Sequence, residues 1–307
     1  MLPDKIAVCN QKYRWIRFQI LPERRRMMEG YPDHTSVIMK LPVLTAMPLG
    51  IRILLVLLAL LIIAVILIVI FASKNVREMN LAIDDAISAI SAEHTVTPVD
   101  PGTYSELKVY KIMKFHVEQY EVADIGNLSV MKVNIGLMQM ATIILTPTQK
   151  NLPLISADYM YMFGKRTAYL EFYDFVTDQQ APEYQSLLSD LNTVKESYAT
   201  LENASPTPAW YDTLKTVGIY KNAKAKDDPT LRKILCDGFG TVMNAAKSLP
   251  LLTEEEQQTK TQLCKDYSDG LIEHGGISTD VFKKELGETT TRDFFDQVLF
   301  GTNRNTH

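Results

Sequence analysis

Cysteine is scarce in this sequence, since the 307 residues contain only Cys9, Cys236 and Cys264. No two of them are close enough in sequence for the paired motifs of zinc sites and dithiol redox centres, so no metal site is expected. Two interpretations of Cys236 and Cys264 stay open. They are two buried thiols, or they form a disulfide if the domain is exported.

The chain also lacks an excess of charge of either sign, because 36 acidic residues stand against 32 basic ones. Such a composition supplies no positive field to gather the phosphates of a nucleic acid. The Walker A, G-x-S-x-G and H-E-x-x-H motifs are missing as well. Gly238 and Gly240 are similar to the start of a dinucleotide fingerprint, but Met243 stands at its third glycine position. We therefore expect no bound cofactor and no nucleic-acid partner.

What the sequence does contain is an unbroken apolar run over residues 53–72. At about 1.5 Å of rise per residue, a helix of this length spans the roughly 30 Å hydrocarbon core of a bilayer. The run has no polar stripe, as a buried helix of a soluble protein would have, and Phe71-Ala72-Ser73 lacks the cleavage pattern of a signal peptide. We predict a disordered tail over 1–50 and a single transmembrane helix over 51–74 in the cell membrane.

The side of the membrane on which the rest of the chain lies depends on the basic residues around this run. The nearest ones balance, with Lys40 and Arg52 before the run and Lys74 and Arg77 after it. Further basic residues at positions 5–26 favour a cytoplasmic N-terminus and an external domain. That indication disappears if translation starts at a later methionine, so both orientations stay open.

A second helix is expected directly after the membrane run. Apolar residues recur there at helical spacing, and they are Val76, Met79, Ile83, Ile87 and Ile90. This stripe either packs on the chain's own domain or supports self-association through residues 75–93. Residues 95–102 contain two prolines and are predicted to be a linker, which gives a juxtamembrane helix and linker over 75–102.

From about residue 107 the sequence changes to short runs rich in β-branched and aromatic residues. Strands are predicted near 107–119, 128–135, 138–146, 155–163 and 166–175, and their short connections favour an antiparallel meander. Helices follow, beginning at Pro182, at Asp228, at a capping box of Thr253 with Glu256, and at Ser278 or Thr279. This order indicates an α+β domain over 103–307.

Asp158 is the residue most indicative of chemistry, because it is an acidic residue inside an apolar strand. If it faces a pocket, loss of hydration raises its pKa and allows it to donate a proton; if it bonds a neighbouring turn, its role is structural. Glu171 lies among aromatic residues, and His116 lies on a predicted strand face. Alternatively, Glu171 is a solvated residue on the outer sheet face, and His116 is a structural histidine. Together with Tyr159, Tyr161 and Tyr169, they are the predicted lining of a substrate pocket.

Three further stretches of the sequence form a recognisable pattern. The first is Thr142-Ile143-Ile144-Leu145-Thr146-Pro147, followed by Leu152-Pro153 and Asp158. The second is Phe282-Lys283-Lys284-Glu285-Leu286-Gly287, and the third is Phe294-Phe295 with Gln297-Val298-Leu299-Phe300. In this order and spacing, over about residues 107–300, they resemble the ferredoxin-dependent bilin reductases.

The resemblance implies a three-layer α/β/α sandwich with a central antiparallel sheet and a tetrapyrrole pocket between sheet and helices. It also implies reduction of a linear tetrapyrrole by single electrons from ferredoxin, with Asp158 as a catalytic proton donor. The family's histidine would fall near Thr142 and its glutamate near Asn134, so neither of those groups is present here.

Two functions therefore remain open from the sequence. One is a membrane-tethered oxidoreductase acting on a tetrapyrrole, and the other is a non-catalytic domain of the same fold that binds a ligand or partner at the membrane. A third, an assembly protein that dimerises through 75–93, depends on the apolar stripe alone.

Overall fold

The computed structural model describes residues 47–303, except residue 163 and the side chain of Ile277. The predicted tail therefore lies almost wholly outside the described residues. The same holds for the basic residues at 5–26 that bear on the orientation.

A single helix, α1, runs from Leu49 to Ser91. Within the described part of the chain it is the helix that is long and apolar enough to cross a membrane, by length and composition. Nearly all its side chains up to residue 70 are exposed. The predicted division into two helices is corrected, because no glycine or proline interrupts residues 51–91.

The C-terminal half of α1 is part of the folded domain. Its buried side chains include Met79, Ala82, Ile83, Ala86 and Ile90, which belong to a core shared with the sheet. The apolar stripe thus packs on the chain's own domain. Self-association through 75–93 stays a prediction.

The domain is built on a nine-stranded sheet. The strands are β1 (Val96–Val99), β2 (Glu106–Val109), β3 (Met113–Val122), β4 (Gly126–Ile135), β5 (Met138–Pro147), β6 (Leu154–Met162), β7 (Lys165–Tyr173), β8 (Glu202–Asn203) and β9 (Lys215–Ala223). Their order is β1-β3-β4-β5-β6-β7-β9-β8, with β2 also paired to β3, and every pairing is antiparallel. The predicted meander is confirmed from β3 to β7.

Three predicted features of the sheet are corrected. The 95–102 linker contains β1, because Val96–Val99 pairs with the end of β3. The predicted strand at 107–119 is two strands, since the chain turns back at 110–112. Strands β8 and β9 were not predicted, and β9 completes the sheet only after a helix has intervened in sequence.

Five further helices cover the two faces of the sheet. They are α2 (Pro182–Ser197), α3 (Asp228–Ala246), α4 (Glu254–His274), α5 (Ile277–Leu286) and α6 (Glu288–Phe294), the last followed by a π-helical turn over Phe295–Leu299. The capping box of Thr253 and Glu256 is confirmed. The predicted cap of α5 at Ser278 or Thr279 is wrong, because the helix already begins at Ile277 behind Gly276.

The buried side chains form two cores, one on each side of the sheet. The C-terminal half of α1, α2 and α3 enclose the first core. Helices α4, α5 and α6 enclose the second. The predicted α+β class and three-layer α/β/α sandwich are therefore confirmed. Cys236 lies on α3 and Cys264 on α4, both buried, and no disulfide joins them.

Candidate functional site

Asp158 lies in the middle of β6, on the face that is covered by α4, α5 and α6. Side chains alternate along a strand, so Asp158 points to the same side as Leu154 of the second core. Its neighbours across the ladder are Thr142 on β5 and Tyr169 on β7. Asp158 is partly buried, and Thr142 Oγ1 donates a hydrogen bond of 2.5 Å to its Oδ1.

The pKa of Asp158 is raised from 3.8 to about 6. Burial is the largest cause, and the nearby Glu171 carboxylate adds to it, while the Thr142 hydrogen bond and Lys215 act in the opposite direction. Near neutral pH the carboxyl group is therefore protonated in a fraction of the molecules. A proton donor is most effective when its pKa lies near the working pH.

An ion pair stands beside Asp158 on the same sheet face. Lys215 at the start of β9 contacts Glu171 on β7 at 2.7 Å, and Asp212 at 2.9 Å. Tyr173 donates its hydroxyl hydrogen to the other Glu171 oxygen at 2.6 Å. Burial opposes the charge on Lys215, but its hydrogen bonds to Glu171 and Asp212 outweigh that effect and raise its pKa. Glu171 thus accepts hydrogen bonds from both Lys215 and Tyr173.

Aromatic rings fill the space between this ion pair and α4. The Tyr267 ring centroid lies 5.0 Å from that of Tyr173 and 5.8 Å from that of Tyr211. Lys215 Nζ sits 4.9 Å from the centre of the Tyr211 ring. Trp210 packs on Tyr211, and its indole N–H donates to the carbonyl of Gly275 at 3.1 Å. The segment Trp210–Leu214 thus closes this part of the sheet face.

A cavity of about 220 Å³ lies on the same sheet face as Asp158. Asp158 itself does not line this cavity. The lining includes Met160, two residues further along β6, and Tyr169, which is opposite Asp158 on β7. The other lining residues are Met162, Lys165, Thr167, Ala204, Ser205 and Asn222. Pockets for small ligands usually measure about 300 to 1,000 Å³, so this cavity is small for a tetrapyrrole.

The structure brings together only part of the predicted pocket. Asp158, Tyr169 and Glu171 share one face of the sheet. Tyr159 and Tyr161 point to the opposite face, in the first core, where Arg166 lies 4.8 Å from the Tyr161 ring centre. Exposed His116 also points away from the Asp158 face, since Phe115 and Val117 beside it face the second core. These three are corrected, because a strand sends alternate side chains to opposite sides.

The other half of the site was not predicted. Lys215, Tyr211 and Tyr267 come from β9, from the turn before it and from α4. The one local signal was the alternation in Thr216-Val217-Gly218-Ile219-Tyr220, which marks β9 as a strand. Among the described residues, no group of three or more His, Cys, Asp or Glu side chains is arranged to hold a metal ion.

Comparison with known proteins adds to this geometry. No protein-family model matches the chain, and no curated protein matches it. Among solved structures, a phytochromobilin synthase from tomato, in complex with biliverdin, is similar with a TM-score of 0.60. The domain has a bilin-reductase-like fold. The likeness covers 72% of this chain and 82% of that one at 13% sequence identity, so it establishes the fold and leaves the chemistry to the residues.

Proposed function

We propose that this protein is anchored in a membrane by the N-terminal part of α1 and that its bilin-reductase-like domain binds and reduces a linear tetrapyrrole. The ligand would lie against the sheet face of Asp158. Reduction of one double bond takes up two electrons and two protons. Ferredoxin supplies the electrons one at a time, Asp158 supplies one proton, and water supplies the other.

The observation that carries this proposal is the state of Asp158. A partly buried carboxyl group with a pKa of about 6 can hold a proton at neutral pH and release it to a substrate. The solved relative of the same fold binds biliverdin. Thr142 and Asn134, which replace the other acidic and histidine groups of the resemblance, cannot deliver a proton in that way.

The anchor is supported by the exposure of α1. Its side chains from residue 53 to residue 70 are apolar and exposed, whereas the core helix of a soluble protein buries its apolar side chains. Alkaline carbonate extraction of membranes tests the anchor, since an integral protein stays in the pellet. Recovery of the full chain in the supernatant would contradict it.

A second function is supported by the packing around Asp158. The nearby cavity is only about 220 Å³, and the Trp210–Leu214 segment and Tyr267 occupy the adjoining space. In this alternative the domain is not catalytic and binds a smaller ligand or a partner at the membrane. Binding of a tetrapyrrole requires the aromatic side chains to move, and binding of a small ligand does not.

One titration separates the two functions. Biliverdin is added to the full-length chain in nanodiscs, followed by reduced ferredoxin, and the absorption spectrum is recorded. The control is Asp124→Asn, in the exposed turn between β3 and β4. Turnover that is lost in Asp158→Asn but kept in this control supports the reductase. A shifted band without turnover supports binding alone, and no spectral change contradicts a tetrapyrrole ligand.

The orientation of the domain bears on the same choice. Ferredoxin is an intracellular protein, so the reductase requires a cytoplasmic domain. A reporter enzyme fused to the C-terminus tests this point. An external reporter would exclude ferredoxin as the electron donor and leave the binding function.

A further inference from the structure

One end of the sheet gathers several turns of the chain. The antiparallel registers place Met113 of β3, Ile135 of β4 and Met138 of β5 at this end, and Met162 pairs with both Met138 and Lys165. The end of β9 lies there as well, since Ala223 pairs with Arg166. We call this end, with turns at 110–112 and 136–137, Gly164 and the segment 224–227, the turn edge.

The apolar run of α1 ends at the turn edge. A Cβ atom built on Gly164 would lie 3.9 Å from the Phe71 ring, and the Arg166 guanidinium lies 5.9 Å from the centre of that ring. One turn later, Asn75 accepts a hydrogen bond of 2.9 Å from Arg166. Just beyond the other end of α1, the His94 ring is 3.2 Å from the Ala123 carbonyl, at the opposite edge of the sheet. The last residues of the apolar run of α1 thus lie beside the turn edge.

Exposed apolar side chains collect at the same edge. Tyr110 is 43% exposed, Ile112 is 79% exposed and Met162 is 50% exposed. Outside α1, the structure describes only two other large apolar side chains with comparable exposure, Trp210 and Leu251. Clustered apolar side chains exposed to water are typical of interaction sites. Tyrosine is favoured at membrane interfaces, where one end of its side chain contacts lipid and the other contacts water.

Lysines surround these apolar tips. Lys111, Lys165, Lys224 and Lys226 are all exposed, and none has an ion-pair partner within the described residues. Three of them line a cavity of about 530 Å³ at the turn edge, together with Asp227, whose carboxylate accepts the Lys224 backbone N–H. Acidic groups lie at the turn edge too, since Glu202 lines the same cavity and Glu285 accepts the Tyr110 backbone N–H. The opposite edge carries exposed Asp124 and Asp178.

We propose that the turn edge is a second membrane contact, in which Tyr110, Ile112 and Met162 enter the bilayer interface and the lysines bind the phosphates of anionic phospholipids. The proposal rests on the proposed anchoring of α1, because Phe71, at the end of the apolar run, lies beside Gly164 at this edge. Charge complementarity selects anionic lipid, since basic residues at a membrane surface are attracted to anionic head groups.

A fluorescent probe tests the contact in the full-length chain. An environment-sensitive dye is attached to Ile112→Cys or, as the control, to Leu251→Cys, in a chain with Cys9→Ser. Cys236 and Cys264 are buried and will not react. Leu251 is a matched site, because it is 55% exposed and its neighbour Leu252 is bonded to Gln149 at the opposite edge.

In nanodiscs with phosphatidylglycerol, the dye at position 112 should shift to the blue and be quenched by nitroxide-labelled lipids. The dye at position 251 should show neither effect. Replacing the phosphatidylglycerol with phosphatidylcholine, or replacing Lys111, Lys165, Lys224 and Lys226 with glutamine, should weaken the quenching. Equal behaviour at positions 112 and 251 would overturn the proposal, as would a response at 112 that appears only when reduced ferredoxin is added.

Failure of this contact is distinguishable from failure of the anchor. If the chain resists carbonate extraction and position 112 is not quenched, the anchor stands and the second contact is wrong. If the chain leaves the membrane during extraction, the anchor itself is wrong.

Discussion

Thr142 and Asp158 face each other across β5 and β6, and the threonine hydroxyl donates a hydrogen bond of 2.5 Å to the carboxyl group. Burial raises the pKa of Asp158, and this hydrogen bond to the charged form lowers it, with about 6 as the balance. Thr142 therefore sets how readily Asp158 releases its proton.

Thr142→Val should raise the pKa of Asp158 above about 6, because the hydrogen bond that stabilises the carboxylate is lost while the shape of the side chain is kept. Infrared titration of the protonated carboxyl band, with Asp158→Asn to identify it, measures the change. In Thr167→Val, which alters a threonine bonded to Asn222, the band should titrate as in the parent protein. An unchanged midpoint in Thr142→Val would show that the hydrogen bond does not tune this group.

Asp158 should also make the domain less stable at neutral pH than at acid pH. Its folded pKa of about 6 is above the ordinary value of 3.8, so the native state binds more protons than the unfolded state between these values. The contribution of this group to the free energy of unfolding is fully present below about pH 4 and is lost as the pH rises through about 6. Asp158→Asn should remove this dependence and stabilise the domain at pH 8 by at most about 3 kcal/mol.

The measurement is the apparent unfolding temperature of parent and variant in the same detergent at pH 4 and pH 8. The difference in unfolding temperature between variant and parent should be larger at pH 8 than at pH 4. This comparison separates the effect of Asp158 from that of other titrating groups. A variant that is destabilised equally at both pH values would show that Asp158 has a structural role.

Two glycines on α3 should respond in opposite directions to alanine. A Cβ atom at Gly238 would lie 2.3 Å from Leu170 Cδ2, and one at Gly240 would meet nothing within 4 Å. Gly238→Ala should therefore cost about 1 to 3 kcal/mol through overpacking. Gly240→Ala should stabilise the helix by about 0.5 to 1 kcal/mol. Thermal unfolding of both variants checks the pair, and equal effects would contradict the tight contact between α3 and β7.

The elements that could be predicted from the sequence are those with local signals. Short turns between alternating apolar runs marked the meander from β3 to β7, and the proline at residue 182 and the capping box at Thr253 marked two helix starts. Asp158 was found because an acidic residue is rare inside an apolar strand. Each of these signals lies within about ten residues in sequence.

The remainder depends on pairings that are distant in sequence. β9 joins β7 only after α2 and β8, and it brings Lys215 to Glu171 from 44 positions away. No local pattern marks such an ion pair. Tyr159 and Tyr161 were assigned to the pocket for their closeness to Asp158 in sequence, and the alternation of β6 places them on the other face.

Arg166→Met should destabilise the domain strongly. Arg166 is 1% exposed and bonds Asp228 at 2.8 Å, and it also bonds Asn75 of α1. Its removal leaves the buried Asp228 carboxylate unpaired, which costs about 3 to 5 kcal/mol. Arg166→Met with Asp228→Leu should recover much of the loss, because no buried charge remains. Thermal unfolding measures all three proteins, and a tolerated single variant would contradict the buried pair.

The position at which a soluble fragment begins should decide whether it folds. Residues 79–90 of α1 supply buried side chains to the first core, and β1 pairs with the edge of β3. A fragment over 73–303 keeps both and omits the apolar run, so it should be soluble without detergent and unfold cooperatively. A fragment over 100–303 exposes that core and the β3 edge and should aggregate. Size-exclusion chromatography and circular dichroism compare the two, and a stable monomer from the shorter fragment would show that α1 is dispensable for the fold.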